Sequence, residues 1–259
     1  MTAFLYGIIV LFATAIGATT GAGGGAIIKP VFDLIGIDKA STIGIYSTIA
    51  VFSMCLSSLY KHSKSNQKFD KLIMFILAIG SLIGGYIGDE VFKRVTQSIS
   101  NSRVTATQSV MLLLVLLSVL LFTQFKERLP KLNIRNKVSV FGFGLCVGSI
   151  SVFLGIGGGP LNVIVLLGLM SMTAKESTPY SIGMIFFAQF PKILIILFAT
   201  PVETFDIATV PVIAITAVIG GYIGTKINHK LSEKQVTMLY GFMMAGLLLT
   251  CGINIMKNL

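Results

Sequence analysis

The chain of 259 residues is 54% hydrophobic and only 12% charged, against roughly a quarter charged in a soluble domain, so it cannot clothe a globule of this size in polar surface. Its formal net charge of +10 does not point to nucleic acid, because the basic residues sit in short connections between apolar blocks rather than along one binding stripe. The lipid bilayer is the expected surrounding, and nucleic acid is not an expected partner.

In chain order, eight apolar blocks stand out, at 4–28, 42–60, 71–89, 106–124, 138–160, 180–199, 207–225 and 237–256. Each approaches or exceeds the roughly 17–25 residues that cross the hydrocarbon core as a helix. The expected fold is an all-α polytopic membrane protein of about eight transmembrane segments. The first block lacks the basic start of a cleaved signal, Lys29 being the first positive residue, and is read as part of the mature fold. It ends in Thr19-Thr20-Gly21-Ala22-Gly23-Gly24-Gly25, followed by Lys29 and Pro30. Each glycine in such a run opposes a regular helix by about 1 kcal/mol, so the block is expected to break there.

Block 71–89 contains Ile83-Gly84-Gly85-Tyr86-Ile87-Gly88, whose small residues three and four apart suit a tight helix crossing, with Tyr86 at the same interface. Block 106–124 includes a run, 111–122, free of charge and glycine, for which extensive lipid contact is expected. Block 138–160 breaks in turn at Gly155-Ile156-Gly157-Gly158-Gly159-Pro160, with Asn162 just beyond. Block 180–199 holds Gln189, Pro191 and Lys192, and Lys192 is the Lys or Arg lying well inside a predicted span. Block 207–225 repeats Ile-Gly-Gly-Tyr-Ile-Gly at 219–224, with Tyr222 in the place of Tyr86.

Three landmarks recur in the same order: the glycine runs at an offset of 134, Ile-Gly-Gly-Tyr-Ile-Gly at 136, and Ser41-Thr42 with Ser177-Thr178 at 136. They divide the chain into two homologous four-segment halves, 1–130 and 138–259, joined by a basic connector at 131–137. Four full spans per half leave the halves parallel; a re-entrant glycine block leaves an odd number of crossings and inverts them. The sequence is compatible with either. If every block spans once, loops 61–71 and 125–137, rich in Lys and Arg, share a side with both termini, and the positive-inside tendency places that side in the cytoplasm.

The chemistry expected at the breaks is anion binding. Pro160 suits the first turn of a new helix, whose free N–H groups and positive dipole end would face the interruption. The candidate substrate-binding residues are Thr19, Thr20, Gly23, Gly24, Gly25, Lys29, Gly157, Gly158, Gly159, Pro160, Asn162, Gln189 and Lys192. Beside this stands a plainer reading in which the glycines pack helices, Lys29 snorkels to the interface and Lys192 reaches an internal carbonyl. Asp33, Asp89, Glu203 and Asp206 fall near block edges, so no central carboxylate stands out as a sodium or proton site. His62 and His229 lie in basic connectors and are expected to be solvated; Cys55, Cys146 and Cys251 lie singly in apolar blocks. No catalytic constellation, metal cluster or cofactor motif assembles.

At the glycine stretches 21–25 and 155–160, and at 84–88 with its partner 220–224, the chain resembles the sulfite exporter TauE/SafE family of bacterial, archaeal and plant permeases. The resemblance covers nearly the full length. It implies secondary transport of a small sulfur-containing or organic anion, such as sulfite or a sulfonate, across the inner (cytoplasmic) membrane. It also implies that positions 23–25, Pro30, 157–159 and Pro160 form the core of the site. The first half departs from the second by placing Ala26 where Pro160 stands. A channel-like pore or other-solute permease would instead show continuous polar lining, and a membrane scaffold would show partner binding without solute flux.

Overall fold

The computed structural model describes residues 2–65, 70–98, 100–125, 133–201 and 204–258. Lys68, Lys126, Arg128, Pro130, Lys131 and Glu203 lie outside the described residues. Regular structure among the described residues is helical throughout: α1 (Thr2–Thr20), α2 (Gly25–Ile35), α3 (Ala40–Ser63), α4 (Lys71–Ser98), α5 (Asn101–Phe125), α6 (Lys137–Phe153), α7 (Gly159–Gly168), α8 (Ala174–Phe198), α9 (Thr209–Lys230) and α10 (Glu233–Asn258). Seven of these, α1, α3, α4, α5, α8, α9 and α10, are long and apolar enough to cross a membrane.

The expected eighth span is where the sequence reading and the fold part company. Block 138–160 is divided between α6, of 17 residues, and the start of α7, of 10. The glycines do more than interrupt a rod; they reverse the chain. Tyr6 near the start of α1 stacks on Phe32 near the end of α2 with ring centroids 4.0 Å apart, and the Gly23 N–H donates to the Gly17 carbonyl at 3.2 Å. Thus α1 and α2 form an antiparallel hairpin. In the same way the Ile134 N–H, just before α6, donates to the Leu169 carbonyl just after α7 at 2.8 Å.

These hairpins decide which ends of the bundle the connections occupy. The Tyr6 hydroxyl donates to Asp38 at 2.7 Å and the Lys257 ammonium donates to the Leu34 carbonyl at 3.0 Å, so both termini lie at the end where α3 begins. The Thr42 hydroxyl bonds the Thr204 carbonyl at that same end. At the other end the chain after α3 meets the α9–α10 corner and the start of α8, where Ala174 and Lys175 N–H groups donate to Glu233 at 2.6 and 3.0 Å. The termini therefore lie opposite residues 61–65, 70–71 and 133–137. The placement expected from eight single crossings put them together; it fails because each glycine hairpin returns the chain to the end it came from.

Packing follows the small residues. In lipid no hydrophobic force draws one apolar helix to another, so association rests on close backbone approach. The principal pairs are α4 with α6, α1 with α9, α3 with α9, α4 with α8, α3 with α8 and α5 with α10. Along α4, a methyl added at Gly80 would sit 2.5 Å from the Phe141 carbonyl oxygen, and methyls at Gly84 and Gly88 would overlap the carbonyl oxygens of Leu145 and Ser149. On α9, Gly220 meets Leu11 and Gly224 meets Ala15 in the same manner. The tyrosines within these motifs do not share that interface: Tyr86 is 55% exposed, because in a helix it points away from the face that its neighbours at 84, 85 and 88 present inward.

The hairpin topology is open to a direct check. With Cys146 replaced by Ser, single cysteines at Thr2→Cys and Lys64→Cys are expected to react with a membrane-impermeant maleimide from opposite faces of oriented vesicles. Labelling of both from one face would contradict the hairpins.

Candidate functional site

The two chain breaks are built alike. After α1, Gly21 (φ 75°) and Gly23 (φ 70°) turn the chain before Gly24 opens α2. After α6, Gly155 (φ 69°), Gly157 (φ 71°) and Gly158 (φ 90°) do so before Pro160 enters the first turn of α7. A side chain held in this left-handed region costs about 1–2 kcal/mol, which is why glycine occupies it.

The breaks lie back to back. A methyl on Gly25 would stand 2.6 Å from the Ile156 carbonyl oxygen, and one on Gly159 would overlap the Ala22 carbonyl. The loops are held by serine hydroxyls from the neighbouring long helices. Ser181 Oγ on α8 donates to the Gly21 carbonyl at 2.5 Å, and Ser47 Oγ on α3 donates to the Gly155 carbonyl at 3.0 Å.

Among the candidates read from the sequence, Gly23, Gly24, Gly25, Gly157, Gly158 and Gly159 converge here. Thr19 and Thr20 sit on the flank of the α1 break, and their hydroxyls are turned to backbone. Thr19 Oγ1 donates to the Ala15 and Gly224 carbonyls at 2.7 and 3.0 Å, and Thr20 Oγ1 to the Ile16 carbonyl at 3.0 Å. The Pro160 carbonyl accepts from the Tyr240 hydroxyl at 3.1 Å, while Asn162 Nδ2 donates to the Ser181 carbonyl at 3.1 Å. In this conformation these four groups brace the breaks.

The charged candidates are buried with partners. Lys29 does not snorkel: it is 2% exposed, its Nζ lies 2.7 and 2.5 Å from the two oxygens of Asp33 one turn along α2, and its stem passes beside Gly155. Lys192 on α8 is 6% exposed; its Nζ lies 3.3 Å from Asp89 Oδ1 on α4 and 5.0 Å from the Phe92 ring centroid. Lys93 reaches the other Asp89 oxygen at 2.8 Å. One turn before Lys192, Gln189 Oε1 accepts from Thr48 Oγ1 at 3.4 Å, and its amide faces Gly157. Both lysines stand on the terminus side of the breaks, Lys29 with its stem beside Gly155 and Lys192 with its Nζ facing Gly44 on α3.

Asp33, Asp89, Ser47 and Thr48 were missed as site residues. The Lys29–Asp33 pair was legible as an i, i+4 spacing on one helix face. Asp89 was not, because the apolar block stops at it whereas α4 continues to Ser98 and draws it inward. His62, expected in a solvated connector, is 3% exposed, with Nδ1 3.2 Å from His229 Nε2. That pair lies at the far end of the bundle, where His229 helps line a cavity of about 570 Å³ together with Ser65, Thr173, Lys175, Glu176 and Glu233.

The comparison that bears on this arrangement is a family model described as sulfite exporter TauE/SafE, which matches residues 6–251. The chain belongs to the sulfite exporter TauE/SafE family. Neither the curated proteins nor the solved structures searched contain a match. The TauE/SafE match runs from inside α1 to inside α10, so both breaks, the two lysine–aspartate pairs and all the long helices between them belong to the family region. It is a family of membrane permeases, in keeping with a multi-pass protein that buries lysine and aspartate side chains among its helices.

The contact between breaks makes Gly159 the least replaceable residue of the site. Gly159→Ala is expected to cost more than about 4 kcal/mol or to prevent assembly, through overlap with the Ala22 backbone. Gly241→Ala on α10, where an added methyl has open space, should be neutral or stabilising by up to about 1 kcal/mol. Thermal unfolding of the two purified variants in detergent checks the contrast.

Proposed function

We propose that this chain is a secondary transporter that moves a small oxyanion, sulfite or an organosulfonate, across the cytoplasmic membrane by alternating access. The observation that carries this reading is the meeting of two glycine-opened helix N-termini beside two buried lysines. Helix N-termini supply unpaired N–H groups and a positive dipole end, and lysines add full charge, so an oxyanion is the ligand chemistry favoured there.

Alternating access draws support from how the two halves correspond. An offset of 134 residues relates Ser47 to Ser181 and Gly21 to Gly155, so the Ser47–Gly155 and Ser181–Gly21 hydrogen bonds are counterparts. The Asp206 N–H bonds the Tyr46 hydroxyl at 2.8 Å, and the Asp70 N–H bonds the Tyr180 hydroxyl at 2.5 Å. The α4–α6 crossing answers to α9–α1, and α3–α9 to α8–α4. On this reading each half is a hairpin followed by three crossings, an odd number, and the halves are inverted repeats. The register through α3 and α8 is 134, so Ser41-Thr42 and Ser177-Thr178, chosen as a landmark at 136, are not counterparts.

The orientation follows from charge. Among the described residues Lys61, Lys64, Lys71, Arg135, Lys137, Lys175, Lys226, Lys230 and Lys234 lie toward one end of the bundle, and Lys39, Lys93, Arg94, Arg103 and Lys257 toward the terminus end. The positive-inside tendency assigns the first end to the cytoplasm and both termini to the outer face.

The test is counterflow of radiolabelled sulfite in proteoliposomes, with sulfate, thiosulfate, taurine, sulfoacetate and chloride as competitors. Saturable exchange is expected, inhibited more by sulfur oxyanions than by chloride. Lys192→Met alone would strand Asp89, so the charge-balanced double variant Lys192→Met/Asp89→Asn is the informative one. It should remain folded and exchange at least about tenfold more slowly, the loss of one buried charge contact. An unchanged concentration dependence would remove Lys192 from the pathway.

A further inference from the structure

We propose that Asp89 is the proton-binding group of this transporter. The permeant oxyanion takes the place of Asp89 at Lys192, and Asp89 leaves the lysine by accepting one proton, so that anion and proton cross together. The inference rests on the transport reading above and adds a coupling ion and its site.

Three observations lead to it. First, the two buried ion pairs differ in what motion can do to them. Lys29 and Asp33 are one turn apart on α2 and move as a unit. Lys192 and Asp89 stand on α8 and α4, one from each half of the chain, so rocking of the halves changes their separation. Asp89 is the internal carboxylate from which a lysine of the other half, Lys192, can be withdrawn, while Lys93 stays beside it on α4.

Second, for a divalent oxyanion such as sulfite the charges balance only with a proton. In the closed arrangement Lys192 and Lys93 face one carboxylate, and Lys93 is 41% exposed to offset the excess. A divalent oxyanion added beside an ionised Asp89 would leave an uncompensated negative charge at a site 2% exposed. With Asp89 protonated, the two negative charges of the anion meet Lys192 and Lys93, and Lys29–Asp33 remains neutral as a pair. Burial makes such compensation compulsory. The charges that act on Lys192 are Asp89, Lys93 from α4 and Lys29 from α2; on the α3 side, Gly44, Ser47 and Thr48 present backbone and hydroxyls.

Third, the charged pair occurs at one end only. The position matching Asp89 in the second half is Thr225, and the position matching Lys192 in the first is Ser58. Both hydroxyls donate to the Gly221 carbonyl, at 2.9 and 3.3 Å. A packing requirement would be met by hydroxyls at both ends; ionisable groups have been placed where only one is needed per cycle. The step is a plain protonation: the carboxylate of Asp89 gains a proton from water on the face to which it is open, and releases it on the other.

The test is proton uptake on anion binding. Sulfite is titrated into the purified wild-type protein by calorimetry at alkaline pH, where free sulfite is the dianion, in two buffers of contrasting ionisation enthalpy. Wild type should take up about one proton per sulfite bound, Glu90→Gln on the exposed side of α4 the same, and Asp89→Asn none while still binding. Wild-type binding with no proton uptake would overturn the inference and leave the permease reading standing, as would uptake that persists in Asp89→Asn. Absence of sulfite binding by folded wild type would overturn both. Should Asp89→Asn fail to fold, sulfoacetate, a dianion that takes up no proton itself at this pH, replaces sulfite with the wild type: about one proton taken up per anion supports the inference, and none overturns it.

Discussion

Everything in this bundle depends on backbone touching backbone. Lipid offers no hydrophobic reward for bringing two apolar helices together, so the helices are held by dispersion between surfaces that fit closely. Glycines at 80, 84 and 88 on α4 and at 220 and 224 on α9 bring carbonyl oxygens of the facing helices to within contact of Cα. The same device operates at the centre, where Gly25 lies on Ile156 and Gly159 on Ala22. There the contact joins the turns of two hairpins. Because few hydrogen bonds link one break to the other directly, they can separate without leaving many polar groups unpaired, and reseal without a search for partners.

The buried charges work against this economy. Taking an ammonium and a carboxylate out of water costs several kcal/mol each, and their attraction roughly repays it only with good geometry. The close two-oxygen contact of Lys29 with Asp33 meets that condition better than the 3.3 Å contact of Lys192 with Asp89. Neither pair is needed to hold helices that glycines already hold. Their cost is explicable where a charged solute must be desolvated, since lysines already stripped of water and balanced by an internal carboxylate can exchange one anion for another at small net change.

Much of this was legible in the chain. The all-helical membrane class, the breaks at 21–25 and 155–160, and Lys192 as an internal charge each follow from local composition. What was not legible is long-range. Hydropathy measures how much apolar chain there is, and a block of 25 residues reads as one crossing whether it runs straight or doubles back; hence the reversed position of the termini relative to the basic loops. Asp89 and His62 were read as edge residues because their own segments turn polar beside them, whereas their burial is imposed by α8 and α9. Thr19 and Thr20 offered hydroxyls to a ligand in the sequence; the α9 backbone and the preceding turn claim them instead.

On the proposed inverted-repeat reading, where the halves agree and where they diverge would separate scaffold from solute chemistry. Gly84 and Gly220, Ser47 and Ser181, and Tyr46 and Tyr180 correspond both in residue type and in contact, and they are the groups that hold helices and break loops in place. The substitutions fall on Ala26 against Pro160, Lys29 against Val163, Asp89 against Thr225 and Lys192 against Ser58. A scaffold that corresponds in its packing lets two opposite openings have comparable free energy, as exchange between them demands. On the transport reading proposed above, placing the ionisable groups in one copy would make the two openings differ in how they bind anion and proton, while the net direction of flux would stay with the gradients across the membrane. Had Lys192 and Asp89 been duplicated, six charges would have required burial in place of the present four, Lys29, Asp33, Asp89 and Lys192, and the second pair would have had no vacant partner to exchange with.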